Sequence, residues 1–73
     1  MTIEYDPEAD ALYLQVREVN AADDIDIEDG VSVDVDADKH IVGLEILDAS
    51  KRLTASDLSS IVIQRLPVEP TST

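Results

Sequence analysis

The sequence predicts a mainly β, α+β domain: a small antiparallel β-meander of five to six strands with a short helical element near residues 48–60. Three observations carry this. Val31-Ser32-Val33-Asp34-Val35-Asp36 alternates apolar and polar residues without error, the period of a half-buried strand. Asp29-Gly30 sits between two alternating runs and reads as a tight hairpin turn of the primed type. Ile41 to Lys51 is the longest strongly apolar run, and it changes midway from strand-like to helix-like, with Asp48 placed as a helix cap.

In order, Thr2 to Tyr5 alternates and forms a first strand, with Ile3 and Tyr5 on one side. Asp6-Pro7-Glu8-Ala9-Asp10 is a turn, because Pro7 presets its own φ and keeps Asp6 out of the helical region. Ala11 to Arg17 returns as a second strand, with Leu12, Leu14 and Val16 facing the core and Tyr13, Gln15 and Arg17 facing water. Glu18 to Asp24 is a polar loop, and Ile25 to Glu28 a third strand. After the fourth strand, Ala37 to His40 forms a second turn. The fifth strand, Ile41 to Ile46, is apolar on both faces apart from Glu45, which places it centrally or against another layer. Gly43 within it marks a bulge or a close approach by another chain.

Beyond Leu47 the pattern weakens. Asp48 to Leu53 supports one or two helical turns. The β-branched run Ile61 to Leu66 reads as a sixth strand; the alternative is a helix over 56–66, capped by Ser56, with Leu58, Val62 and Leu66 on one stripe. Residues 1–66 form one domain, and 67–73, with two prolines, a disordered tail.

Composition bounds function. A chain of 73 residues is marginally stable alone. Without cysteine it has neither disulfides nor thiolate metal sites as staples, so packing or oligomerisation must serve. Seventeen acids against five bases give a net charge of -12. That charge repels phosphate backbones and anionic membranes, arguing against both as partners. It suits a basic protein partner, divalent cations or solubility, and acid-rich composition can also reflect host adaptation. No apolar run approaches the ~18 residues of a membrane span, nor does the N-terminus resemble a signal peptide, so a cytoplasmic location is expected.

Catalytic chemistry finds little purchase. The single histidine, His40, falls in a turn without partners. Gly30 and Gly43 match no phosphate-binding loop. Asp34-x-Asp36-x-Asp38, with Glu45 in the twelfth position, resembles a calcium loop. However, Lys39 stands where that loop needs glycine, and Asp34 and Asp36 alternate with valines on a strand. The expectation is a non-enzyme with no cofactor and no metal.

Two motifs suggest a family. Tyr5-Asp6-Pro7-Glu8-Ala9-Asp10-Ala11-Leu12-Tyr13 and Gly43-Leu44-Glu45-Ile46-Leu47-Asp48-Ala49-Ser50, with Asp29-Gly30 between them, resemble the small prokaryotic family catalogued as domain of unknown function 2283. The resemblance covers roughly Ile3 to Arg52 and implies a compact β-rich domain with no established catalytic residues. Some relatives are encoded beside small toxin-type proteins, which implies an antitoxin-like or accessory role. The sequence lacks the helix-turn-helix or basic strand that DNA-binding antitoxins use.

Two functions are therefore expected. The first is a self-associating protein-interaction module, a homo-oligomer with candidate interface residues Tyr5, Tyr13, Gly43, Glu45 and Leu47. The second is an acidic partner of a small basic protein. Glu45 lies beside apolar Ile41 and Leu47 and is expected to pair with Lys51 or Arg52.

Overall fold

The structure, a computed structural model, describes residues 1–65. Five strands, β1 (Thr2–Asp6), β2 (Ala11–Gln15), β3 (Asp23–Glu28), β4 (Val31–Val35) and β5 (Ile41–Leu47), precede two short helices, α1 (Ala49–Arg52) and α2 (Ala55–Ser59). The strands form one antiparallel sheet in the order β1-β2-β5-β4-β3. β3, β4 and β5 follow one another as a meander, and the β1–β2 hairpin attaches to the far side of β5. The strand with two apolar faces is thus the central one, as its pattern predicted.

Two irregularities shape the sheet. Val35 lies opposite Ile41 while Asp34 lies opposite Gly43, so Val42 is an extra residue on β5. Its carbonyl accepts from both Val16 N and Arg17 N, at 2.7 and 3.2 Å. The bulge also shifts the alternation, placing Ile41 opposite Val35 rather than on the side of Glu45 and Leu47. A second register shift lies between Asp26 and Glu28, beside the Asp29-Gly30 turn. Only Gly30 takes positive φ there, at 84°, and Asp29 does not, so the turn is not of the primed type expected. The neighbouring bulge supplies local twist that a primed turn would otherwise provide.

The helices also depart from expectation. Asp48 holds the N-cap position of α1 in the left-handed region, φ 53°, and makes no side-chain capping bond. α2 begins two residues earlier than a Ser56 cap implies. Thr54 and Asp57 form a reciprocal capping box, with Asp57 N donating to Thr54 Oγ1 and Thr54 N to Asp57 Oδ2, both at 3.0 Å. After Ser59 neither the sixth strand nor the alternative helix continues: residues 60–65 belong to no helix or strand. The tail expected over 67–73 lies outside the described residues.

Among the described residues the buried side chains are those of Val35, Val42 and Ala49, and Gly43 is buried beside Val42. Val42 and Ala49 stand at opposite ends of β5, so the described residues close no continuous core around the sheet.

Candidate functional site

Register sorts the side chains into two sides. Across the sheet, Ile3, Leu14, Leu44, Val33 and Ile25 lie in one row, and Tyr5, Leu12, Ile46 and Val31 in the next. Residues directly opposite in an antiparallel pair share a face. Together with Val35 they make a mainly apolar side whose charges lie at the β3 edge, where Asp23 is opposite Val35 and Glu28 opposite Val31. Leu12, Leu14, Val31, Val33, Leu44 and Ile46 are only half-buried on it, and Ile3, Tyr5 and Ile25 are exposed.

The other side is acidic. Glu4, Tyr13, Glu45, Ser32 and Asp26 form one row across all five strands, and Gln15, Gly43, Asp34 and Asp24 another. Asp24 and Asp34 are direct cross-strand neighbours of like charge, a destabilising pair. The Tyr13 ring lies across β5 over Gly43, and its hydroxyl donates to Asp34 Oδ2 at 3.0 Å. A Cβ at Gly43 would overlap the Tyr13 hydroxyl and ring carbon, so glycine here makes room for an aromatic bridge between β2 and β4. Partial burial, and then the carboxylate beside it, raise the Tyr13 phenol above its usual pKa.

Of the five candidate interface residues, Tyr13, Gly43, Glu45 and Leu47 thus come together on the acidic side, while Tyr5 stands on the apolar side. Shallow depressions flank Glu45 and Leu47, one toward Asp26 and Glu28 and the other toward Glu4, Asp6 and Tyr13. Their carboxylate rims suit a cationic side chain electrostatically. The expected pairing of Glu45 with a base is not made. Arg52 turns instead to the β3–β4 turn, donating to Leu47 O at 2.9 Å, to Asp29 O, and to Glu28 at 3.4 Å. The Leu47 and Asp29 carbonyls and the Glu28 carboxylate together offer Arg52 three acceptors, which a lone Glu45 carboxylate does not match.

Sequence reasoning missed the part played by Asp10, whose side chain gathers three hydrogen bonds. The Asp10 carboxylate accepts from Tyr5 Oη at 2.7 Å, Ser50 N at 3.0 Å and Ser50 Oγ at 2.7 Å. The Asp10 carbonyl accepts from Ala49 N at 3.0 Å. Asp10, not Asp48, therefore satisfies the first amides of α1. The bond from Ser50 Oγ, followed by those from Tyr5 and Ser50 N, holds the Asp10 carboxyl below its usual pKa, and Tyr5 is correspondingly raised. The available signal was the pairing of two motifs, one ending the first turn and the other opening α1; their ends meet at this carboxylate.

A second carboxylate organises the β4–β5 turn. Asp36 Oδ1 accepts from Asp38 N at 2.9 Å and His40 N at 3.0 Å, and Oδ2 meets Arg17 Nη2 at 2.7 Å. The Arg17 bond leads in lowering the Asp36 pKa to about 2. His40 is exposed in that turn, as its sequence context predicted. Among the described residues no group of three or more histidines or acids is placed to hold a metal ion, and no helix is long and apolar enough to cross a membrane.

None of the curated proteins or solved structures compared with the chain matches it. A family model described as "Protein of unknown function (DUF2283)" matches residues 2–50.

Proposed function

The chain belongs to the DUF2283 family, and we propose that within it this protein is a non-enzymatic interaction module that self-associates through the apolar side of its sheet. The observation that carries this is the half-open apolar side. A sheet with one hydrophobic face needs a second layer to bury it. Among the described residues only Val35, Val42, Gly43 and Ala49 are buried, and α1 and α2, of four and five residues, are too short to cover five strands.

A second copy fits the size and chemistry of that surface. Five strands spaced ~4.8 Å apart and ~17–23 Å long give a flat footprint of roughly 400–550 Å². Two such faces approach the ~1,000 Å² that separates specific interfaces from incidental ones. Stacking apolar sides directs both acidic sides outward, so two strongly negative chains can meet through their least charged surface. Light scattering coupled to size exclusion tests the reading: a dimer or larger at micromolar concentration is expected, and a strict monomer overturns it. Leu44→Asp, at the centre of the apolar side, should dissociate the assembly.

A second reading rests on the opposite side. The rows of Glu4, Glu45 and Asp26 and of Asp34 and Asp24 suit a basic protein partner, in the antitoxin-like or accessory role that small toxin-type neighbours would imply. A small basic reading frame beside the gene supports it, and its absence counts against it. Pull-down from the host should then recover that protein with wild type but not with a Glu45→Lys variant.

A further inference from the structure

The chain leaves three consecutive β-branched residues in water. Ile61, Val62 and Ile63 are 62%, 70% and 68% exposed and belong to no strand or helix. Such a run has strong strand preference, and large apolar residues gain most from burial. The sheet meanwhile ends in two open edges, β1 and β3. On β3 every residue is exposed, Ile25 at 43% and Ile27 at 61%.

We propose that Ser60 to Arg65 is an arm that adds to β3 of a second copy as an antiparallel sixth strand. This rests on the self-association reading and specifies how copies interlock. The sequences fit residue by residue. Asp23-x-Ile25-x-Ile27 on the edge meets Ile61-x-Ile63-x-Arg65 on the arm. In one antiparallel register Ile61 faces Ile27, Ile63 faces Ile25 and Arg65 faces Asp23. Two apolar pairs and one opposite-charge pair are the cross-strand combinations that stabilise a sheet.

On the alternate side Gln64 meets Asp24, which it can hydrogen-bond, and Val62 meets Asp26, the one mismatched pair. Ile27 is the extra residue of the β3 bulge, so the Ile61 end is the less regular one. Asp23 already faces Lys39 at 3.5 Å, but both side chains are well exposed and such pairs contribute little.

Charge selects β3 over β1. The same register on β1 sets Ile61 against Tyr5 and Ile63 against Ile3, and brings Arg65 to Met1, whose side chain carries no acid. β3 offers Asp23 at the corresponding position. Its acids and bulge guard that edge against indiscriminate pairing, and an arm carrying Arg65 meets the guard with the complementary sign. Each copy has one arm and one β3 edge, so reciprocal exchange closes as a twofold dimer.

The chain has no cysteine, so Ile25→Cys and Ile63→Cys each introduce a unique thiol. Opposed Cα atoms ~4.5–5.5 Å apart across an antiparallel pair are within disulfide reach. The two single variants, mixed, exchanged by dilution and reconcentration and mildly oxidised, should give the mixed disulfide at least fivefold over either homodisulfide on a non-reducing gel. The I25C/I63C double variant should yield a covalent dimer. Arg65→Glu should lower the mixed product severalfold, and adding Asp23→Arg should restore it. A double variant that closes its disulfide within one chain overturns the exchange. So does a mixture with no excess of mixed product while wild type remains dimeric by light scattering. A monomeric wild type overturns the exchange and self-association together.

Discussion

At the residue scale, the Asp10 carboxylate ties together segments that lie 40 residues apart, so its partners should behave as a unit. Tyr5→Phe removes one donor and Ser50→Ala another. Each should lower the melting temperature, and the double variant should lose less than the sum, because groups sharing one partner couple. Strict additivity by thermal denaturation would break the link between them. Gly43 makes a sterically sharper prediction. Gly43→Ala forces the Tyr13 ring off β5 and breaks its bond to Asp34, at a cost of about 1–3 kcal/mol as expected of overpacking. Adding Tyr13→Leu to Gly43→Ala removes the collision with the ring but leaves the Leu14 carbonyl oxygen 2.9 Å from the new Cβ, so chemical denaturation should show the double variant recovering only part of the loss.

Asp36 gives the residue scale its pH dependence. Its folded pKa, about 2, lies below the ordinary carboxylate value, chiefly through Arg17. A depressed pKa contributes stability that is present above the unfolded value and lost as pH falls through the folded one. The loss therefore runs from about pH 4 to pH 2. Arg17→Gln should raise the folded pKa, weaken the protein at neutral pH and move the acid-unfolding midpoint upward. The other carboxylates protonate alike in both proteins, so comparing them at each pH by circular dichroism isolates this contribution. Coincident acid limbs would show that the Arg17 bond adds nothing.

At the element scale, what was legible in the sequence was whatever local periodicity decides. Val31 to Val35 alternates because one side faces the apolar row and the other the acids, and a period-2 pattern states this without knowledge of neighbours. The apolar faces of β5 announced a central strand for the same reason. Its neighbours were not legible: insertion of β5 between β2 and β4 is a long-range pairing, and nothing within Ile41 to Leu47 encodes which hairpin lies on its far side. Local logic placed Asp48 at the N-cap position of α1, where it stands, but could not show that the carboxylate reaching the Ser50 amide arrives from Asp10. Ile61 to Ile63 carries strand composition but no partner in its own sheet, and composition alone makes no ladder. The Thr54–Asp57 capping box, by contrast, is wholly local. Thr54→Ala should cost about 1 kcal/mol, and amide exchange should quicken over 55–59 while β4 and β5 remain protected.

At the scale of the whole molecule, a net charge of -12 opposes compaction of each chain and approach of any two. Among the described residues three surface ion pairs, Arg17–Asp36, Lys39–Asp23 and Arg52–Glu28, return little of this. Salt therefore separates the two functional readings by sign. Screening over a Debye length of ~8 Å at physiological ionic strength weakens repulsion between like-charged chains. If copies meet through their apolar sides, raising sodium chloride from low to several hundred millimolar should tighten self-association severalfold and raise the melting temperature. If the functional contact is between the acidic side and a basic protein, the same salt should loosen that complex, since attraction is screened as readily as repulsion. Sedimentation velocity of the isolated protein across that range decides the first case. Self-association that weakens with salt would mean that charge pairs, such as Arg65 with Asp23, hold the copies together and the apolar sides do not.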